Sequence, residues 1–508
     1  MTIAPSDTSV QDEDDNGRPV GLPAFAARPI AIVAAVLAAL LTALSGRYGF
    51  HRDELYFMVA GDRPDWGYVD QPPLTPLLAR ASTALFGDTP MGLRVVATLL
   101  GVLSVVVVAL VARELGGGRR AQLIAACCAA GSGIFLGLAH MVATATFDML
   151  VWLLISWLVL RLLRTGDGRW YLAIGAAIGV GMENKQLVAL LVLALMFSLL
   201  VAGPRQVLRT WWLAAGAAVA LALALPNLWW GAAHGWPQLT VAAGISDREG
   251  GENRLMFALL LIVQLSPLFV PIWVAGLVRL WRDPAIRWAR SFAVSVPLLV
   301  VVVLVFGGKA YYVLPMLIVA MAAGAEPVAR WAKAGRRGWI LTSAIVVAAL
   351  VNAVVALPVL PPKALTVVTA LNAAPSEQLG WPGFVSSVAE TWRRIPAEQR
   401  AGAVIFAQNY GEAGAIARYG PDHGLPPAYS GHMNYSAWGP PPDSANGPVV
   451  LVYARENRRL PRMFTDCRPG ARIDNGYGVE SELQQNVILL CSGASGPWSR
   501  LWPILRHY

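Results

Sequence analysis

The sequence predicts a polytopic α-helical membrane protein with a small α/β domain at its C-terminal end, and three observations carry that prediction. Of 508 residues, 56% are hydrophobic and only 14% charged, with a mean hydropathy of +0.53. An ordinary soluble chain carries about 25% charged residues, so a soluble enzyme is excluded. Apolar stretches approaching the roughly 20 residues needed to cross about 30 Å of hydrocarbon recur along the chain. Basic residues concentrate in alternate connections between those stretches, as cytoplasmic loops require. The 48 Gly and 35 Pro are scattered without a period, which excludes collagen-like, low-complexity and solenoid chains.

Residues 1–28 hold Asp12, Glu13, Asp14 and Asp15 in a polar run with no apolar face, which predicts a solvated, disordered tail. The apolar run from Pro29 lies too far from the N-terminus for a signal sequence and lacks a small-residue cleavage site, so it reads as a retained anchor. Eleven spanning segments are expected, starting near residues 29, 94, 121, 147, 170, 187, 210, 256, 290, 312 and 339, within a membrane domain of residues 29–357. Trp170 to Met182 is the shortest of them, and losing it would invert everything downstream.

The connections holding Arg113, Arg119 and Arg120, then Arg161, Arg164 and Arg169, then Arg205 and Arg209, fall on one side. Those holding Arg279, Arg282, Arg287 and Arg290, and Arg330, Lys333, Arg336 and Arg337, fall on the same side. The opposite short connections hold only Lys185, Arg248, Arg254 and Lys309. This alternation predicts a multi-pass protein of the cell membrane with its N-terminus cytoplasmic and its C-terminus extracytoplasmic. The net charge of +9 is then a topology signal, and no nucleic-acid partner is expected.

Two stretches are left on the extracytoplasmic face: a first loop at about 47–93, and residues 358–508. In the latter, short β-rich runs at Ala403 to Ala407 and Val449 to Tyr453 alternate with a helical pattern at Glu412 to Tyr419, which predicts a soluble α/β domain. Cys127 and Cys128 lie within a spanning segment and read as small buried apolar residues. Cys467 and Cys491 lie in the outward domain, where a disulfide is permitted; two buried thiols are the alternative. No spacing of metal ligands is visible.

The first loop opens with His51, Arg52, Asp53 and Glu54, placing two carboxylates beyond the first span. A carboxylate beside a low-dielectric region can serve as a general base if it faces substrate; a solvated interfacial acid is the alternative. Trp66 to Leu74, with Gln71, Pro72 and Pro73, predicts a rigid turn into an apolar helix lying on the membrane surface. Asp148 opens the fourth span, where an ionisable group is costly and usually functional, although an acid at a helix N-terminus is also favoured by the dipole. Lys185 and Lys309, the latter followed by Tyr311 and Tyr312, are cations on a charge-poor face and suit a phosphate headgroup; lysines snorkelling from helix ends are the plainer alternative. The stretch Trp229 to Arg254 reads as an outward loop, and nothing in its spacing assigns a role to His234. Tyr410, Tyr435 and Trp438 could stack on sugar rings, but read more simply as core aromatics. With no Walker-type or dinucleotide glycine loop present, an activated substrate already embedded in the membrane fits best.

On the Asp53-Glu54 pair, the Pro72-Pro73-Leu74 turn, Asp148 and the Lys309-Ala310-Tyr311-Tyr312 segment, the chain resembles the GT-C membrane glycosyltransferases of family 39. That family includes protein O-mannosyltransferases and the aminoarabinose transferases acting on lipid A. The resemblance covers about residues 30–357. It implies an inverting transfer of a hexose or pentose from a polyprenyl-phosphate donor to a hydroxyl of a lipid, glycan or protein acceptor on the extracytoplasmic face. It further implies Asp53 as general base, Asp148 orienting acceptor or base, and Lys309, with Lys185 or Arg52, at the donor phosphate. Some relatives carry lysine before the paired prolines; Gln71 stands there in this chain and cannot neutralise a phosphate. A divalent metal is possible, though no dedicated ligand cage is visible. A transporter or flippase of a lipid-linked saccharide and a non-catalytic scaffold are the alternatives. Paired broken helices with charges at mid-bilayer would mark a transporter, whereas the acids and lysines here cluster at helix ends.

Overall fold

A computed structural model of the chain describes residues 21–333 and 335–508. Most of the expected tail, 1–28, lies outside the described residues. Its end is not free: Arg113 donates to the Pro23 carbonyl at 2.8 Å, the Ala26 amide donates to Gln122 Oε1 at 2.9 Å, and helix already begins at Ala27.

The helices run in the order α1 (Ala27–Leu44), α2 (Arg52–Gly61), α3 (Leu74–Phe86), α4 (Pro90–Glu114), α5 (Arg119–Ala130) and α6 (Gly133–His140). Then follow α7 (Thr144–Thr165), α8 (Trp170–Met182), α9 (Leu187–Ala202), α10 (Trp211–Ala233), α11 (Pro237–Leu265) and α12 (Val270–Arg282). The series closes with α13 (Arg290–Val305), α14 (Leu314–Trp331), α15 (Arg336–Ala356), α16 (Trp381–Arg393), α17 (Tyr410–Tyr419) and α18 (Trp498–Leu505). Among the described residues, seven helices are long and apolar enough to cross a membrane, and up to nine if each of two bent pairs is one span.

Each of the eleven expected segments is helical, but four depart from the simple straight span. α8 and α9 are short, at 13 and 16 residues. The segment expected from 121 breaks between α5 and α6 with a 65° bend, and the one expected from 256 breaks between α11 and α12 with an 80° bend. A broken helix in a membrane frees backbone carbonyls that water cannot reach. Asn352 of α15 meets this need at both breaks, donating from Nδ2 to the Gly131 carbonyl at 2.8 Å and the Leu265 carbonyl at 3.3 Å. The expected loop 229–254 is largely helix: Trp236 turns the chain at φ 56°, Pro237 occupies the first turn of α11, where its missing amide costs nothing, and the helix runs 29 residues.

Small residues set how closely the helices approach, as in other membrane bundles. Where α12 crosses α14, a methyl at Gly276 would land on the Ala320 carbonyl and one at Gly324 on the Ile272 carbonyl. The bundle core includes the fully buried Trp152, Phe269 and Phe292.

Beyond residue 400 lie six strands: β1 (Val404–Ala407), β2 (Val449–Ala454), β3 (Phe464–Thr465), β4 (Arg468–Pro469), β5 (Asn486–Cys491) and β6 (Gly493–Ala494). The main sheet has the order β1-β2-β5-β4, parallel between β1 and β2 and antiparallel elsewhere; β3 and β6 form a separate antiparallel pair. β1, α17 and β2 thus form a crossover unit. Because side chains alternate along a strand, Val450 and Val452 pack on one face, and Val449 and Leu451 on the other, against Trp498 and Trp502. A disulfide joins Cys467 to Cys491, while Cys127 and Cys128 are free thiols on α5. The first face of the sheet has no core of its own: Val450, Ile416 and Phe384 share one apolar cluster with Phe50, Leu55, Tyr56 and Phe57 of the first loop.

Candidate active site

α2 is a ten-residue helix whose first turn carries Arg52, Asp53 and Glu54. His51 caps it: its Nδ1 accepts the Asp53 amide at 3.2 Å, and its own amide donates to Glu54 Oε2 at 2.8 Å. This reciprocal cap fixes the helix start and sends the adjacent carboxylates in opposite directions.

Glu54 points inward. Arg94 of α4 grips it with Nε to Oε1 at 3.0 Å and Nη2 to Oε2 at 2.7 Å, and both side chains are fully buried. The same guanidinium reaches the carbonyls of Ser45 and Gly49 and Oε1 of Gln378, and the Val142 amide completes the carboxylate's set at 3.1 Å. With every oxygen engaged, Glu54 joins the end of α1, α4, the α6–α7 junction and the segment before α16. Expected beside Asp53 as a reacting carboxylate, it is instead bonded as a strut between these elements.

Asp53 keeps 30% of its side chain exposed. Tyr410 donates from its hydroxyl to Oδ1 at 2.6 Å, and Arg52 Nε lies 3.8 Å from the same oxygen. Burial pushes the Asp53 carboxyl up, but His51, Arg52, the Tyr410 hydrogen bond and Lys309 outweigh it and hold the group below the ordinary carboxylate range. Burial also pulls the His51 imidazole down, and its Nδ1 accepts the Asp53 amide hydrogen. Asp53 is therefore ionised at neutral pH. Arg52 itself is committed to an ion pair with Glu482.

Lys309, 36% exposed, pairs with Glu249 of α11 at 3.0 Å. Lys185, in the turn between α8 and α9, lies 4.6 Å above the Tyr312 ring and 5.5 Å from that of Tyr311. Burial lowers its pKa, the charge of Asp148 supports the ammonium and Lys309 opposes it. Asp148 is 6% exposed, and its Oδ1 has no hydrogen-bond partner among the described residues. Tyr311 feels both Asp53 and Asp148. The fold thus gathers Arg52, Asp53, Asp148, Lys185, Lys309, Tyr311 and Tyr312 into one electrostatic neighbourhood, from segments more than 250 residues apart. The turn carrying Lys185 is held by Asn184, which accepts from Thr75 at 2.5 Å and donates to the Thr144 carbonyl at 2.9 Å.

Gln71 is 3% exposed, and neither of its amide atoms has a partner among the described residues. Its neighbour Asp70, which no sequence pattern marks, accepts the Tyr56 hydroxyl at 2.5 Å; burial pushes its pKa up to about 6. Tyr56 in turn lies 4.9 Å from Tyr410 and 6.5 Å from Trp438. Asp70, Tyr56 and Tyr410 were not legible as a set, because two lie on the first loop and the third follows β1. His234 stays at the end of α10, bonded to the Trp230 carbonyl at 2.8 Å. No three His, Cys, Asp or Glu side chains gather as a metal-ligand set among the described residues.

Residues 70–230 match the sequence profile of the dolichyl-phosphate-mannose-protein mannosyltransferase family. Comparison with curated proteins gives no match. Among solved structures, ArnT from Cupriavidus metallidurans in the apo state superposes with a TM-score of 0.61 at 14% identity, covering 92% of this chain and 98% of that one. The same protein bound to undecaprenyl phosphate gives 0.60 at 15%, covering 91% and 97%. The chain has the GT-C fold. The arabinofuranosyltransferase AftD from Mycobacteria is also similar, with a TM-score of 0.54 at 14% identity, over 93% of this chain and 40% of that one. In profile over residues 70–230 and in fold along most of its length, the chain is similar to membrane glycosyltransferases.

Proposed function

We propose that the protein is an inverting glycosyltransferase that moves a sugar from a polyprenyl-phosphate donor to an acceptor hydroxyl on the extracytoplasmic side of the cell membrane. The arginine- and lysine-rich connections would face the cytoplasm, and the sheet-bearing region from about residue 358 would face outward. The observation that carries the reading is an ionised, partly exposed Asp53 under the charge of Lys309, with Lys185 and Asp148 next to Lys309, at one end of a membrane bundle. Its similarity to a protein whose structure is bound to undecaprenyl phosphate supports a donor of that class.

In this reading the acceptor hydroxyl approaches Asp53 Oδ2, the oxygen that accepts no hydrogen bond among the described residues. Its proton passes to Oδ2 as its oxygen bonds to the anomeric carbon from the side opposite the phosphate. The glycosyl–phosphate bond breaks, and its electron pair leaves with the phosphate, whose growing charge Lys309 and Lys185 stabilise. A carboxylate held low is a weak base in the empty site. An anionic donor beside Lys309 cancels part of the field that holds Asp53 down, so donor binding itself raises the base toward its working range. Asp148 supports the Lys185 ammonium, and Glu54 keeps the first turn of α2 in place.

The test is transfer of labelled sugar from undecaprenyl-phosphate hexoses and pentoses in membranes holding wild type or Asp53→Asn at matched expression. The expected result is a loss of about 10²–10⁴-fold in transfer with donor binding retained. Undiminished transfer by Asp53→Asn would overturn the base assignment. Donor movement across the bilayer without turnover would replace the reading with a flippase.

A further inference from the structure

The hydrogen bond from Tyr410 to Asp53 joins residues 357 positions apart, and everything around it works to hold it. Tyr410 is the first residue of α17, a helix capped at both of its opening amides: Asn409 Oδ1 accepts the Gly411 amide at 2.8 Å, and Glu412 Oε2 accepts the Asn409 amide at 3.0 Å. α17 lies directly on α2, and the contact is made by glycines three apart. A methyl at Gly411 would fall 2.7 Å from Arg52 Cβ, and one at Gly414 3.0 Å from the Leu55 carbonyl carbon. Larger residues would push the helix, and the Tyr410 hydroxyl with it, away from Asp53. Glu482 ties the same junction from the side, pairing with Arg52 and accepting from Asn409 Nδ2 at 2.6 Å. The Tyr410 ring is fixed between Tyr56 at 4.9 Å and His432 at 4.8 Å, and His432 is stacked on His507 at 4.5 Å.

We infer that Tyr410 is a positioning residue for the proposed base, locking Oδ1 of Asp53 so that Oδ2 is presented to the acceptor, and that the sheet-bearing C-terminal region is therefore a built-in part of the active site. This rests on the reading of Asp53 as general base. A carboxylate on the first turn of a short helix can turn about its side-chain bonds. One strong hydrogen bond to a charged acceptor is enough to choose an orientation, and preorganising a reacting group in this way is a rate effect rather than a binding effect. The hydrogen bond also favours the ionised form. The other groups facing Asp53 are His51 and Arg52 on its own helix, Lys309, Tyr311, Asp70 and Glu377. All of them are left in place when only the Tyr410 hydroxyl is removed.

The experiment uses the full chain in nanodiscs as wild type, Tyr410→Phe, Asp53→Asn and the double variant. Asp53 protonation is read without any donor, by carbodiimide-driven amine coupling followed by peptide mass spectrometry from pH 3.5 to 7. The Tyr410→Phe midpoint should move up by about one pH unit, the size of one charge-assisted hydrogen bond. Sugar transfer should fall about tenfold or more in kcat, with the donor KM unchanged, and Tyr410→Phe should slow Asp53→Asn no further, because the two changes remove the same interaction. An unmoved coupling midpoint, or a double variant slower than Asp53→Asn by the full Tyr410→Phe factor, would overturn the inference. Asp53→Asn with wild-type transfer would instead overturn the base assignment, and the coupling midpoint would still decide whether Tyr410 controls Asp53.

Discussion

Substituting Glu54→Gln separates a supporting carboxylate from a reacting one. The wild-type side chain accepts four hydrogen bonds, from Arg94 Nε, Arg94 Nη2 and the amides of His51 and Val142. Glutamine keeps the shape but turns one of the two oxygens into a donor. That group then faces Arg94 and the His51 amide, or the Val142 amide, and the Arg94 charge stays buried at 0% side-chain exposure with no counter-ion. Breaking a buried pair from one side costs about 3–5 kcal/mol, roughly a 10²–10⁴-fold change in the folded ratio at 1.4 kcal/mol per decade. Part of the loss is offset by the carbonyls of Ser45 and Gly49, which still accept from Arg94. The assay is thermal unfolding in detergent alongside transfer measured at low temperature on the folded fraction. Glu54→Gln should unfold several degrees earlier while its folded fraction turns over within about tenfold of wild type, and Asp53→Asn should do the reverse. A Glu54→Gln protein as stable as wild type but without transfer would refute the reasoning and return Glu54 to the chemistry.

Two further outcomes are expected. Asp70, with its pKa raised to about 6 against an unfolded value near 4, binds its proton more tightly when folded. Its contribution to stability is complete below about pH 4 and is lost as pH rises through 6, so Asp70→Asn should flatten the thermal-stability profile between those values, and an unchanged profile would contradict the burial argument. Asn352→Leu leaves the Gly131 and Leu265 carbonyls without their shared donor, which should cost about 1–3 kcal/mol; unfolding at wild-type denaturant concentration would show that the helix breaks do not depend on it.

The division of labour between Asp53 and Glu54 shows where sequence reading ends. Adjacency in the chain put both carboxylates beyond the first span, but which one meets solvent is set by the direction of α2, and that direction is set by Arg94, forty residues away. Lys185 and Lys309 stood out in the sequence because cations are out of place on a charge-poor face. Tyr410 carried no such mark: an aromatic after a β-rich run looks the same whether it packs in a core or bonds a carboxylate. Hydropathy predicts straight spans for the two bent helix pairs because it reports apolar length, not the carbonyls that a distant asparagine satisfies.

Composition, hydropathy and charge alternation determined on their own that this chain is a membrane helix bundle with a mixed C-terminal region, because the bilayer imposes its constraint on each segment separately. The residues that could carry charge at the site were visible for the same reason. Tertiary structure alone decided that the sheet-bearing region shares its core with the first loop and supplies the hydroxyl that bonds Asp53. Contacts between segments hundreds of residues apart depend on shape and on close approach at Gly411 and Gly414, and no local pattern encodes them.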